Sequence, residues 1–329
     1  VLTLKTIDAH VAGAPLRLVI DGFPTPRGKT MAEKRAWATR HADGLRRALM
    51  LEPRGHTDMC GAVLTEPVSA GAHAGVLFMD NEGYTVMSGH GVIAVAAMAL
   101  ARGLIVPGGD GQTLVFDTVA GTVRAMVAPQ DVLRARFVNV PSFVLHGGVD
   151  VKLGARIVRV DIAFGGAFYA IVDGEAAGIP LDPAHLPELR RTGMTIAEAV
   201  SATFAVAHPE IPAIAGIQGT IFTGPPQTSS SDLRCVTVFA DAAVDRSPSG
   251  TGLSAVLTVL DAMGLVMEDS VFTAEGLIGT TLRAQVIGRT TVGDYAAIIP
   301  EVEGRAWIIG EHAFTLDPDD PLREGIRVW

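Results

Sequence analysis

Ser88-Gly89-His90-Gly91 runs into the apolar stretch 92–100, and Ser249-Gly250-Thr251-Gly252 runs into the apolar stretch 253–262. The two tracts lie about 160 residues apart in a chain of 329, close to half its length. Each reads as Ser-Gly-x-Gly opening a helix, with the serine in the position that best caps the first backbone amides. Both helices are apolar nearly all round, which on a non-membrane protein places each at the centre of a folded lobe. One such start is common. Two matched starts at half-chain spacing point to an internal repeat and hence to two similar lobes.

The surrounding sequence supports that reading. Strand-like segments at 16–20, 74–79, 113–116, 122–127, 156–162, 167–172, 235–239, 281–286 and 306–309 alternate with Gly- and Pro-marked turns. Helical patterns are fewer: 30–38, 44–50, 92–100, 187–192, 196–207 and 253–262. The expected class is therefore α/β or α+β, two similar lobes each wrapping a sheet around a central helix, not a doubly wound sheet. Pro129, Pro141 and Gly147-Gly148 interrupt the pattern, so the lobes are expected at 1–137 and 138–329, with the C-terminal tail free to return to the first lobe.

Composition narrows the function classes. With 35 acidic against 26 basic residues the formal net charge is −9, which argues against nucleic acid or an anionic membrane as partner. The longest apolar run, 92–101, is too short to span a bilayer, and residues 1–8 show no apolar signal-peptide region. Cys60 and Cys235 stand far apart with no metal-like spacing, and read as free thiols in a reducing cytoplasm. The nine histidines show no ligand spacing, so no metal is expected.

The chemistry of the paired starts follows from helix geometry. The first amides of a helix lack intrahelical acceptors and carry the positive end of its dipole. Glycines there let a ligand approach the backbone closely. Two such ends facing one another across a cleft would cage one carboxylate, with Ser88 and Ser249 on opposite faces of the bound molecule. That is an arrangement for moving a proton at an α-carbon, with the amides stabilising the enediolate-like charge that develops. Two other readings use the same residues. Gly89-x-Gly91-x-x-Ala94 and Gly250-x-Gly252-x-x-Ala255 fit a dinucleotide fingerprint, but only Asp110 and Asp117 approximate its acidic partner. A serine hydrolase would want Gly-x-Ser-x-Gly, which neither serine has.

The words around these serines resemble the proline racemase family, which includes hydroxyproline epimerases and trans-3-hydroxy-L-proline dehydratases. The resemblance starts at Asp8-Ala9-His10-Val11-Ala12-Gly13-Ala14-Pro15 and continues through Glu52-Pro53-Arg54-Gly55-His56-Thr57-Asp58-Met59, Asn81-Glu82-Gly83-Tyr84 and Met87-Ser88-Gly89-His90-Gly91. It resumes at Gly165-Gly166-Ala167-Phe168-Tyr169-Ala170, Asp245-Arg246-Ser247-Pro248-Ser249-Gly250-Thr251-Gly252 and Thr290-Thr291-Val292-Gly293-Asp294. It implies a diaminopimelate epimerase-like fold, no cofactor, and a small proline-type substrate in the cleft between the lobes. The amides of Gly89, His90, Gly250 and Thr251 would then bind the carboxylate and Asp245 the ring ammonium. His56, Asp58, Tyr84 and Phe168 are candidates to line the pocket; a structural pair serves the first two equally well, and core packing the last two. A homodimer is left open.

The sequence departs from the family pattern at its centre. Racemases and epimerases of the family carry cysteine at both acid/base positions, and dehydratases usually keep the first cysteine and place threonine second; here stand Ser88 and Ser249. Ala14 replaces a frequent glutamate. An alcohol is far less acidic than a thiol, so a serine base needs help from its surroundings. Gly-Gly-Ala-Phe-Tyr is similar to the dehydratase version of its motif. Stereochemistry agrees: in trans-3-hydroxy-L-proline the hydroxyl and the α-hydrogen share a ring face, so one residue can serve as base and then acid. Dehydration of that substrate is the leading expectation, and epimerisation of 4-hydroxyproline, racemisation of proline or mere binding of an imino acid are the alternatives.

Overall fold

The computed structural model describes residues 1–107, 111–267 and 270–327. The chain divides into two compact units, Val1–Phe137 with Arg305–Trp329, and Val138–Gly304.

In the first unit β1 (Leu2–Val11) and β2 (Ala14–Asp21) form a hairpin, followed by helices α1 (Met31–His41) and α2 (Asp43–Met50). Then come β3 (Gly61–Thr65), β4 (Ala74–Met79), the short β5 (Tyr84–Thr85), α3 (Gly89–Ala101), β6 (Thr113–Thr118), β7 (Gly121–Ala128) and β8 (Asp131–Val138). The second unit contains β9 (Ser142–Leu153), β10 (Arg156–Phe164), β11 (Phe168–Asp173), α4 (Gly174–Ala177) and α5 (Leu186–Thr203). It continues with β12 (Ile217–Gly224), β13 (Leu233–Phe239), α6 (Gly250–Ala262), β14 (Phe272–Glu275), β15 (Thr281–Val292) and the first part of β16 (Tyr295–Leu316). Residues from Arg305 onward carry β16 into the first unit.

Both units close their sheets into barrels by the same scheme. In the first the order is β1-β2-β3-β4-β6-β7-β8-β16, and β16 pairs back onto β1 from Val11↔Ala306 to Leu2↔Leu316. In the second it is β16-β15-β14-β13-β12-β11-β10-β9, with β9 returning to β16 at Phe143↔Ala297. The pairing directions match as well. β2–β3 and β11–β12 are parallel, as are β4–β6 and β13–β14, whereas the hairpins between them are antiparallel. The internal repeat suggested by two serines thus extends to the whole topology.

One helix fills each barrel. Residues 89–99 of α3 are all buried, and α3 packs on β1, β2, β3 and β7. Residues 250–259 of α6 are buried likewise, against β9, β10, β11 and β15. Each buried Val, Ile, Leu or Met of these helices contributes about 1.5–3 kcal/mol. The two helices also end alike, with Gly103 and Gly264 in the left-handed region and the amides of Leu104 and Leu265 bonded back to Ala99 and Leu260. That is the C-terminal motif in which glycine takes a backbone conformation costly for other residues.

Two sequence expectations change. The helical stretches 187–192 and 196–207 are one helix, α5, which passes through Gly193 and stops at Thr203. Gly193 is there for packing: a Cβ on it would lie 2.8 Å from Val238 Cβ on β13. The segment holding His56 and Asp58, strand-like by its sequence although outside the strand ranges given above, is a run of turns, with Asp58 at φ 63°. Cys60 and Cys235 are free thiols, and burial pushes Cys235 up to about 12, so it behaves as a small core residue.

Candidate active site

Each unit carries one serine-capped start of its central helix, and the two starts are described one at a time. In the first, Ser88 is the N-cap of α3 with ordinary extended backbone, φ −139° and ψ 115°. Its Oγ accepts the Gly91 amide at 3.2 Å and lies 3.5 Å from His90 Nδ1, at the long limit for a hydrogen bond. The first intrahelical bond runs from Val92 N to Ser88 O, so the amides of Gly89 and His90 precede it and point out of the helix end. Ser88 is half-buried, and His90 is buried.

In the second unit Ser249 caps α6 in the same way, its Oγ accepting the Gly252 amide at 3.2 Å. Leu253 N to Ser249 O is the first intrahelical bond, so the amides of Gly250 and Thr251 precede it. Here the surroundings are tighter. Ser249 is buried and sits at φ 65°, a left-handed conformation that costs a non-glycine residue about 1–3 kcal/mol. A buttress holds it there. Ser249 N donates to Ser247 Oγ at 3.1 Å, and Ser247 donates its hydroxyl and amide to Asp245 Oδ1 at 2.8 and 2.9 Å. Asp245 therefore braces the loop that sets the capping serine, its buried carboxylate linked to Ser249 by two successive hydrogen bonds through Ser247.

The second glycine of each start has a packing role that the sequence reading did not anticipate. A Cβ on Gly91 would come within 2.6 Å of Phe78 Cε1, and one on Gly252 within 3.0 Å of Ile221 Cδ1. These glycines seat the helix start on its own barrel, whatever approaches from outside.

The remaining candidates divide. Tyr84 is committed to the core of the first unit, packed on the clusters of Leu49, Met50, Met79 and of Met31, Ala38, Leu77, with its hydroxyl on Ala42 O at 3.3 Å. His56 is exposed, its Nδ1 2.7 Å from Thr57 O, while Asp58 is buried in the same turn. Phe168 is buried against Phe164 and Phe143, with centroids 5.0 and 6.0 Å away. Neighbouring side chains on a strand point to opposite faces. It is Tyr169, one residue along β11, that reaches α6, its hydroxyl 2.7 Å from Thr251 Oγ1. Sequence reading quoted Tyr169 within its motif and passed it over; the strand's two-residue period was the available signal. Asp117 accepts the amides of Val68 and Ser69 at 2.8 Å and clamps a loop, and Asp110 lies outside the described residues. Among the described residues no cluster of three or more His, Cys, Asp or Glu could hold a metal, and no helix is long and apolar enough to cross a membrane.

The proline racemase family profile matches residues 6–327. This chain belongs to the proline racemase family. It is 42% identical to a trans-3-hydroxy-L-proline dehydratase of Bacillus cereus, over 97% of this chain and 96% of that protein. It is 41% identical to a 3-hydroxyproline 2-epimerase of Burkholderia multivorans, over 99% and 98%. Its structure is similar to that of a hydroxyproline epimerase from Agrobacterium vitis solved with bound trans-4-hydroxy-L-proline. The TM-score is 0.91 at 29% identity, covering 100% of this chain and 95% of that one. The relatives named here are a dehydratase and epimerases of hydroxyprolines, which are small cyclic imino acids.

Proposed function

We propose that this protein dehydrates trans-3-hydroxy-L-proline, with one lobe supplying each half of the site. The observation that carries the reading is the pair of serine-capped helix starts, alike in topology and unequal in surroundings, in a chain matched end to end by a dehydratase. The substrate carboxylate accepts from the amides of Gly89, His90, Gly250 and Thr251, and Asp245 holds the ring ammonium. Ser88 passes its proton to His90 Nδ1 as its Oγ takes the C2 proton. The C2 electron pair becomes the C2–C3 double bond, and the C3 hydroxyl leaves with the proton Ser88 has just gained. His90 then returns its proton to Ser88. The products are water and Δ2-pyrroline-2-carboxylate, which tautomerises to the Δ1 imine.

Syn loss of water asks for one competent group on one face, and the half-buried Ser88 beside His90 is suited to it. Ser249, fixed and buried, orients the substrate from the other face. Epimerisation is the second reading, favoured by the Burkholderia relative, and it would need both serines to exchange protons. The test is separate incubation with proline, trans-4-hydroxy-L-proline and trans-3-hydroxy-L-proline in D2O. Conversion of the 3-hydroxy substrate to an imine that a ketimine reductase turns into proline is expected. Return of that substrate unchanged, with 4-hydroxyproline inverted at C2, selects epimerisation. Absence of α-exchange with all three leaves a binding protein.

A further inference from the structure

The two helix starts differ most in what stands behind the capping serine. β2, the second strand of the first hairpin and the counterpart of β11, carries no tyrosine, and the second residue of α3 is His90. In the second unit β11 supplies Tyr169, and the second residue of α6 is Thr251, joined to it by a hydrogen bond of 2.7 Å. Tyr169 is 1% exposed, so its hydroxyl faces α6 and not solvent. The hairpin that carries it is locked to the helix start: a Cβ on Gly165 would lie 2.3 Å from Thr251 O and 2.6 Å from Ala255 N. Backbone contact that close leaves the phenol little freedom to move relative to the first turn of α6.

We propose that Tyr169 is a positioning residue of the second half-site, a phenol that fixes the Thr251 side chain and thereby holds the Ser249 hydroxyl in one orientation towards substrate. The proposal rests on the reading of Ser249 as a substrate-facing group. Ser249 is itself a hydrogen-bonding neighbour of the phenol, and Asp245 acts on it through charge. Burial pushes Tyr169 up to about 12 despite its hydrogen bond with Thr251, so it stays a neutral phenol throughout the neutral range. Its contribution is geometric, and a neutral phenol adds no titration of its own near pH 7.

The test is Tyr169→Phe, which removes one oxygen from a packed ring. A loss of about tenfold to a hundredfold in kcat for the dehydration is expected, the scale set by a misplaced reacting group. KM and the affinity for pyrrole-2-carboxylate should stay within about twofold, because the helix amides are untouched. In a Ser249→Ala background the same change should cost less than about twofold, since the group it positions is gone. Thr251→Val breaks the bond from its other end and should reproduce the kcat loss, which keeps the test open if Tyr169→Phe does not fold. Full kcat in both variants, a loss confined to KM, or costs that multiply with Ser249→Ala would each overturn the role of Tyr169 and leave the function standing. A wild-type protein without α-exchange on any of the three substrates would overturn both.

Discussion

Ser88 and Ser249 occupy the same place in two barrels of the same topology, yet one is half-buried on relaxed backbone and the other is buried at φ 65° behind a buttress. Ser88 has a titratable neighbour, His90, at 3.5 Å. Ser249 has Ser247 and Asp245 fixing its amide, and Tyr169 behind its helix turn. A hydroxyl that must take and give protons needs a partner and room to turn, whereas one that orients a ligand gains from being held. Duplication has supplied two equivalent positions, and the side chains around them have made them unequal.

The largest expected effect tests that inequality directly. Ser88→Ala should lower kcat for dehydration by about 10²–10⁴, the range of general acid–base catalysis, with pyrrole-2-carboxylate still bound when followed by calorimetry. Ser249→Ala should cost about 10²-fold at most, through substrate placement. If steady-state rates show the reverse order, the proton-handling group belongs to the second barrel. A third comparison sets the amides of both starts against the serines. Pyrrole-2-carboxamide should bind more weakly than the carboxylate by about fivefold for each amide contact, because a hydrogen bond to a charged acceptor is worth about 1 kcal/mol more than a neutral one. Equal affinities would remove the helix ends from the site.

The smallest effect on activity comes from a second feature that the barrels share. Asp117 on β6 accepts the amides of Val68 and Ser69, and Glu275 on β14 accepts those of Gln227 and Thr228. Burial pushes the Asp117 carboxyl up, but the bonds from Ser69, Val68 and Thr122 outweigh it and leave the group below its ordinary value. A carboxylate lowered on folding stabilises above its unfolded pKa, about 3.9, and that stability is lost as pH falls through the folded value. Asp117→Asn should therefore lower stability by about 1–2 kcal/mol at pH 7 and by progressively less below about pH 4, measured by thermal unfolding. A penalty that does not shrink in acid would mean that packing, not charge, holds this loop.

The parts of this molecule that were legible in its sequence are those where one local signal suffices. An all-apolar helix behind a capping serine identifies itself, and so does the six-residue strand Ala74–Met79 between turn residues. Barrel closure is not local. It depends on β16 pairing with β1 some 300 residues away, and no periodicity within either strand reports its partner. The site shows the same limit. Ser88 and Ser249 were found because helix capping is a short-range rule, but the choice between Phe168 and Tyr169 turns on which face of β11 meets α6. Gly193 and Gly165 misled or stayed silent for a related reason, since each is explained by a neighbour distant in sequence, Val238 and Thr251.

The passage of β16 from one unit to the other has a consequence for how the protein is made. The second barrel is a continuous stretch, 138–304, complete once its own residues have left the ribosome. The first barrel, although synthesised earlier, lacks the strand that pairs with β1 until residues 306–316 arrive. Its β1 edge stays open throughout synthesis of the second, and unpaired edges of this kind are where nascent chains misassociate. On stalled nascent chains carrying residues 1–304 clear of the tunnel, proteolysis is expected to spare the later-made barrel and cut the earlier one; equal protection would show that β1 finds another cover. The half of the enzyme that is translated first is the half that finishes last.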